Sequence, residues 1–498
     1  MNEYLPYLTE LLSEALSGIS YFLPEIALVA TFLIVIIGDL FLSEKKANSA
    51  FILCLGGILV SAYLSYRQLN SIENGALLFS KSIVLDRVGV LFKLIFAFST
   101  VLFLFFVKNN ASLQNHRKGL GDLYMIIPAV LLGLNLMAMA SNLLMIYISI
   151  EMVSIASYLM VGYVAGENKQ TEASMKYALF GSACSAIMLY GISLLYGFTG
   201  TINISEGSFI YHLSHIAEPA TALAILLTLV GIGFKLSFFP LHFWSPDVYE
   251  GAPTPVTAFL STAPKIAGFA ILLRFLLPFY SSHDVADKPL FDFETVIIAI
   301  AIITMIFGNF AAIWQNNIKR MLAYSSIAHT GFALMAIVAI YHNGIRSLLF
   351  YFVIYAVMNM AAFMIADKIE EEAGTTDIRK YKGLGKIFKL EIVCFVVILV
   401  SLTGLPPTGG FIAKLFIFTS AFEKYQASGS VWVLSLLITG AVTTVVSLFY
   451  YFKVPLNAYL RNAETELNIE PRITFISYLI LILTAIIVVL GLFPAILA

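Results

Sequence analysis

Four ionisable side chains stand alone in long apolar runs of this 498-residue chain: Glu151, Lys235, Lys265 and Lys414. An ionised group near the middle of a bilayer costs roughly 2.5–3.5 kcal/mol on insertion scales unless it meets water or a partner. Four of them would cost on the order of 10 kcal/mol together. Charges kept in such places usually serve to move protons or ions. Burial favours the neutral form of an acid or an amine, and a neighbouring opposite charge favours the ionised form. A lysine that alternates between a paired and an unpaired state therefore changes its proton affinity, which is the minimal device of a proton pump.

Each candidate has a plainer reading beside the functional one. Glu151, after Ser149 and Ile150, is either a carboxylate near the membrane surface or a buried partner for a lysine. Lys176 and Lys235 are both candidates for that partner. Lys265 follows Pro264 and lies about twelve residues into its apolar run, near 18 Å of helix rise, too deep for easy snorkelling. Lys414 lies seven residues after Pro407, where a lysine at a helix end is the plain alternative. His329 is either a satisfied core histidine or a relay between the lysines, with Tyr324, Ser325 and Ser326 close by in sequence. Arg87, Lys93 and Asp39 lie nearer the ends of their runs, where snorkelling or contacts with other subunits explain them. His242 and Asp247 read as ordinary polar residues of a half-helix.

The elements that must position these residues follow from composition. The chain is 60% hydrophobic and 12% charged, with net charge −1. Soluble proteins carry about 25% charged residues, so a polytopic membrane protein is expected and nothing points to nucleic acid. Fourteen spans fit a window of about 19 residues: 20–42, 47–66, 84–107, 122–140, 142–164, 173–197, 219–249, 253–280, 292–313, 318–341, 344–369, 388–424, 431–452 and 472–494. They are expected to be helices, because in lipid only helices and closed barrels satisfy their own backbone. Spans 7 and 12 are too long for one straight crossing. Span 7 holds Pro240 and Pro246, and span 12 holds Gly404 through Gly410 with Pro406 and Pro407, so both are expected to be broken. Loops after odd-numbered spans carry seventeen Lys and Arg against five after even-numbered ones. The positive-inside rule then puts the odd-following loops in the cytoplasm and both termini on the other side. Met1 to Ser17 holds three Glu and no Lys or Arg, so no cleavable signal is expected there. Cys54, Cys184 and Cys394 lie in apolar runs without metal or disulfide spacing and read as buried core residues. No phosphate-cradling loop, haem-attachment motif or cofactor-spaced histidine pair is present, and no redox centre or metal site is expected in this chain.

Span 7 contains Gly233 to Phe238 (GFKLSF) and span 12 contains Gly410 to Phe416 (GFIAKLF), five spans apart. At the same interval Ser154 to Ser157 (SIAS) in span 5 matches Ser326 to His329 (SIAH) in span 10. A five-helix unit crosses an odd number of times, so consecutive copies must be inverted, the layout of many secondary transporters. The expected organisation is an all-α protein with an N-terminal three-helix segment (1–121), a first repeat (122–280), an inverted second repeat (281–452) and a C-terminal helix (453–498).

Three stretches carry a family resemblance: Gly231 to Lys265 (GIGFKLSFFPLHFWSPDVYEGAPTPVTAFLSTAPK), Asn317 to His329 (NIKRMLAYSSIAH) and Gly404 to Lys414 (GLPPTGGFIAK). They resemble the antiporter-like membrane subunits of respiratory complex I, and within them the N-type branch. That branch carries lysine in broken helix 12 and lacks the long lateral helix of the L-type. The resemblance implies fourteen helices in inverted five-helix repeats. It also implies proton transfer by an input pair of Glu151 and Lys235, a central relay at Lys265 and an exit-side Lys414, with Lys176 modulating the pair and a role for His329. The chain itself would bind no cofactor; NADH, FMN, iron–sulfur clusters and quinone would belong to partner subunits. Its partners would be neighbouring antiporter-like and small hydrophobic subunits in a bacterial inner membrane. The alternatives are a subunit of an Mrp-type cation/proton antiporter and a structural scaffold of inert buried pairs.

Overall fold

The computed structural model describes residues 12–13, 16–41, 47–71, 75–114, 119–164, 168–280, 291–461 and 471–496. Most of the segment expected to lack a signal falls outside the described residues. So do Lys45, Lys46, Arg117, Lys118 and Lys288 of the loop-charge comparison, and residue 281, where the second repeat is expected to begin. Spans 1 to 6 are the single helices α1 (Leu23–Phe41), α2 (Ala47–Ser71), α3 (Arg87–Asn109), α4 (Gly121–Met139), α5 (Leu143–Val161) and α6 (Asn168–Thr199). Span 7 is divided into α7 (Glu218–Leu236) and α8 (Trp244–Gly251), and span 8 into α9 (Thr254–Leu260) and α10 (Ala263–Tyr280). Spans 9 to 11 are α11 (Phe293–Ile313), α12 (Ile318–Val338) and α13 (Ile345–Ala373). Span 12 is α14 (Lys389–Thr403) with α15 (Gly409–Ser428), and spans 13 and 14 are α16 (Val431–Tyr451) and α17 (Phe475–Leu492).

Among the described residues thirteen helical stretches are long and apolar enough to cross a membrane. Span 12 is not one of them, because its break leaves α14 with 15 residues and α15 carries Lys414, Glu423 and Lys424. The all-α fold holds, with one small addition. Strands β1 (Ala76–Leu78) and β2 (Ile83–Leu85) form an antiparallel hairpin between α2 and α3, with Ala76 opposite Leu85. Three-residue strands are invisible to a window sized for membrane helices. Helix starts are fixed by side chains that accept from the free N–H groups of the first turn. Asp86 accepts from Gly89 (2.7 Å), Asn142 from Met145 (2.7 Å) and Asn317 from Lys319 (2.9 Å).

Burial sorts the helices into a core and a periphery. Every residue from Thr254 to Leu276 is buried, as is all of Ile318–Val338 except Arg320 and Tyr324, against five of the 19 residues of Leu23–Phe41. The core is therefore α9, α10, α12 and α13, and Lys265 and His329 sit on its most enclosed helices. Close approach of α11 and α12 depends on two glycines. A Cβ on Gly308 would lie 2.6 Å from the Ala328 backbone nitrogen, and one on Gly331 2.7 Å from that of Met305. In lipid, where apolar faces gain nothing by leaving water, such small-residue contacts are what let helices pack.

Both expected breaks are present. The first follows α7, where Ser237 adopts a left-handed φ of 58°. The second follows α14 at Gly404, with φ 88°. A third break, at Ser261 and Thr262 between α9 and α10, was not expected. Pro264 lacks the N–H that would bond the Leu260 carbonyl, so the helix parts there. The freed Ser261 carbonyl accepts from Tyr355 (3.1 Å) and Asn359 (3.3 Å) on α13.

At Gly404 an L-residue would have to hold a positive φ, at a cost of roughly 1–2 kcal/mol, and its Cβ would lie 2.7 Å from Lys414 Cδ. Gly404→Ala is expected to lower the thermal midpoint of the solubilised protein. Gly197→Ala, inside α6 where a Cβ meets nothing within 4 Å, should hold or slightly raise it. Equal midpoints for the two variants would contradict this account of the break.

Candidate functional site

Lys235 occupies the last turn of α7 and is 2% exposed. Its Nζ donates to Ser154 Oγ on α5 at 3.3 Å. Ser154 is one turn along from Glu151, which is half-buried and acts on Lys235 electrostatically without forming an ion pair with it. The serine, not the carboxylate, is the lysine's direct contact. Lys176 is held elsewhere: it pairs with Glu172 (2.8 Å) and Asp247 (2.8 Å) and its side chain is 40% exposed. Asp247, an ordinary polar residue by its sequence context, turns out to be a junction. It also binds Arg320 (2.7 Å), which reaches Glu250 (3.0 Å). These charges, with Lys169 and Glu172, line a cavity of about 210 Å³ where α6, α8 and α12 meet.

Lys265, in the first turn of α10, donates to Ser326 Oγ on α12 at 2.7 Å. Ser326 is 2.8 Å from the Tyr355 hydroxyl, which donates to the Ser261 carbonyl. One turn further along α12, His329 meets Tyr351 through Nδ1 (2.6 Å) and Tyr451 through Nε2 (3.3 Å). Tyr451 also bonds Ser325. Thr330 donates to the carbonyl of Leu236, the neighbour of Lys235, at 3.0 Å. Helix α12 thus touches the surroundings of Lys235, Lys265 and His329 within two turns.

Lys414 sits in the second turn of α15 and donates to the carbonyl of Thr403, the last residue of α14, at 2.8 Å. The end carbonyls of a helix lack internal partners and carry partial negative charge. They favour a cation by about 0.3–1 kcal/mol at exposed ends, and more where the site is enclosed. Lys235, in the last turn of α7, has the same kind of helix end beside it. Between His329 and Lys414 lies a cavity of about 20 Å³, lined also by Asn309, Thr443, Ser447 and Tyr450. That is room for roughly one water molecule among several polar groups. His329 accordingly lies between Lys265 and Lys414 and feels the charge of both.

The tyrosines escaped the sequence reading, because an aromatic in an apolar helix gives no sign of which way its hydroxyl points. Lys93 requires a correction. It does not snorkel: it pairs with Glu25 at 2.8 Å, both side chains fully enclosed. Gln68 Oε1 accepts from Lys93 (2.9 Å) and Asn135 donates to Glu25 (3.3 Å). The four residues come from α4 and the three helices before it, and distance from a helix end does not reveal which face a residue takes. Arg274 binds Asp86 through two bonds (2.7 and 2.6 Å), and Lys368 is buried against Glu391. Arg87 and Asp39 are exposed, and all three cysteines are free and buried.

The family described as "NADH:quinone oxidoreductase/Mrp antiporter, TM" matches residues 140–443. The chain belongs to this family. Among its relatives, NADH-quinone oxidoreductase subunit N 2 of Chloroherpeton thalassium is 40% identical over 491 residues, covering 97% of this chain and 94% of that one. In solved structures, a chain of respiratory complex I from Thermus thermophilus is 27% identical with a TM-score of 0.75, covering 95% of this chain and 97% of its own. A chain of the Mrp complex from a Dietzia species shares the fold, with a TM-score of 0.79 at 19% identity, covering 97% and 95%. This member of the family is a multi-span membrane protein with the antiporter-like fold of complex I.

The Glu25–Lys93 pair gives a quantitative test of packing in α1 to α4. Removing one member of a buried pair costs about 3–5 kcal/mol, whereas replacing both by apolar side chains is often neutral. Glu25→Leu and Lys93→Met should each reduce the amount of folded protein in membranes, and the double variant should recover most of it. A double variant worse than either single one would contradict the pairing.

Proposed function

We propose that this chain is the N-type proton-translocating membrane subunit of a bacterial NADH:quinone oxidoreductase. Protons pass along Glu151, Lys235, Lys265, His329 and Lys414, driven by quinone reduction in other subunits. The observation that carries the reading is the contact from Lys265 through Ser326 and one turn of α12 to His329, and on through the small cavity to Lys414. The names and high coverage of the relatives support the assembly. NADH, FMN, iron–sulfur clusters and quinone are assigned to partner subunits, with neighbouring antiporter-like and small hydrophobic chains alongside in the plasma membrane. Both termini face away from the cytoplasm. Residues 122–280 and 281–452 act as two inverted half-channels with the breaks at α7 and α14 as their centres, and Lys176 modulates the input pair from its place beside Asp247.

The hydrogen bonds around Lys265 suit a group that is charged in one step and neutral in the next. In the charged state the donors run outward, from Lys265 to Ser326, Tyr355 and the Ser261 carbonyl. When Lys265 gives up its proton, its amine can accept from Ser326, which then accepts from Tyr355. The Ser261 carbonyl stays bonded to Asn359 throughout. Rotation of two hydroxyls therefore keeps Lys265 Nζ, Ser326, Tyr355 and the Ser261 carbonyl each with a partner in both protonation states.

Lys235→Ala, Lys265→Ala and Lys414→Ala are each expected to reduce NADH-driven acidification of closed membrane vesicles severalfold, while the complex stays assembled and reduces ferricyanide. Unchanged acidification in all three would leave only the scaffold reading. Sodium-dependent proton exchange without NADH, from a complex lacking flavin, would favour the Mrp-type alternative, which the Dietzia fold makes the second choice. Tyr355→Phe should slow pumping about tenfold, as expected when one buried hydrogen-bonding group worth about 1–3 kcal/mol is lost, and leave assembly intact. Wild-type pumping in that variant would remove Tyr355 from the path.

A further inference from the structure

A groove of about 470 Å³ runs between α3 and α13. Its size is within the roughly 300–1,000 Å³ of small-molecule sites. One wall is Leu91, Leu94, Ile95 and Phe98, and the other is Arg346, Leu349, Phe350 and Val353. Each set has the spacing i, i+3, i+4, i+7, so each is one face of its helix. Seven of the eight side chains are apolar. The eighth, Arg346, stands at one end of the groove, in the first turn of α13, exposed and with no ion-pair or hydrogen-bond partner among the described residues. An even number of spans precedes both α3 and α13, so both helices start at the same membrane face and Arg346 lies near that face. From Arg346 to Val353 the groove extends about 10 Å along α13 toward the bilayer interior.

We infer that this groove is a binding site for an anionic phospholipid, with an acyl chain along the apolar walls and the headgroup phosphate on Arg346. The charge pattern decides the occupant: a long apolar slot open to the bilayer, with one free guanidinium at its surface end, complements a lipid of one polar end and one apolar chain. Guanidinium matches phosphate geometry through two parallel N–H donors, and within the bilayer the chain gains close packing against the apolar walls. The site also has a direct line to the proton path. The opposite face of α13 carries Tyr351 and Tyr355, which hold His329 and Ser326, so a bound lipid braces the helix that positions both tyrosines.

The test uses the whole complex reconstituted in nanodiscs containing phosphatidylglycerol with a photoactivatable group on its acyl chain, and the matching phosphatidylcholine probe in parallel. After illumination, labelled peptides are mapped by mass spectrometry. The expected result is labelling of residues 91–98 and 346–353 by the phosphatidylglycerol probe, severalfold above phosphatidylcholine and severalfold lower in Arg346→Gln. Leu94→Trp, which fills the slot and keeps the arginine, should lose the labelling as well, and it stands in if Arg346→Gln fails to assemble. Equal labelling by the two probes, or labelling indifferent to both variants, would overturn the proposal. So would absence of label together with cross-links from the groove to a neighbouring membrane subunit.

Discussion

A bilayer offers no water to backbone groups or charges, and that single constraint organises this protein. Every N–H, every carbonyl and every ammonium must find its partner inside the chain or along a polar path. Where a helix continues, its backbone is satisfied within itself. Where it breaks, carbonyls are released, and the structure uses those releases at three places. Thr403 receives Lys414, Ser261 receives Tyr355 and Asn359, and Leu236 receives Thr330. Of the buried cations, Lys414 uses such a release directly, because a helix end with free carbonyls carries partial negative charge.

Helix α12 gains its importance from the same constraint. It is enclosed on nearly all sides, so its polar residues cannot face solvent and must bond to neighbouring helices. Ser325, Ser326, His329 and Thr330 do so toward α16, α10 and α13, and the end of α7. The break at span 7 is thereby bonded to α12, and a small cavity lined by His329 and Lys414 lies between α12 and the lysine of span 12. The close approach of α11, allowed by Gly308 and Gly331, holds α12 in that position from its other side.

The buried pairs away from this row have a different character. Glu25–Lys93, Asp86–Arg274 and Lys368–Glu391 each meet a direct opposite charge at short range. Lys235, Lys265 and Lys414 meet a hydroxyl, a hydroxyl and a carbonyl. A neighbouring carboxylate favours the ionised form of an amine, and a neutral oxygen does so far less. The contrast separates cations that fasten helices together through ion pairs from three lysines held only by neutral oxygen.

Much of this was legible in the sequence, for reasons that depend only on local chemistry. Apolar run length gave the spans, proline and glycine gave the breaks at 240 and 404–410, and isolated charges in apolar runs gave Lys235, Lys265 and Lys414. The matching strings of spans 5 and 10 marked His329 as a candidate, but not its neighbours. Partners were a different matter. Ser154 rather than Glu151 at Lys235, Asp247 at Lys176, Glu25 at Lys93, and Tyr355 behind Ser326 all bring together residues from separate helices. Such contacts depend on how each helix is rotated about its axis, and hydropathy averaged over a helix carries no information on rotation. Composition and punctuation decided which helices exist and what they carry; only packing decided which faces meet.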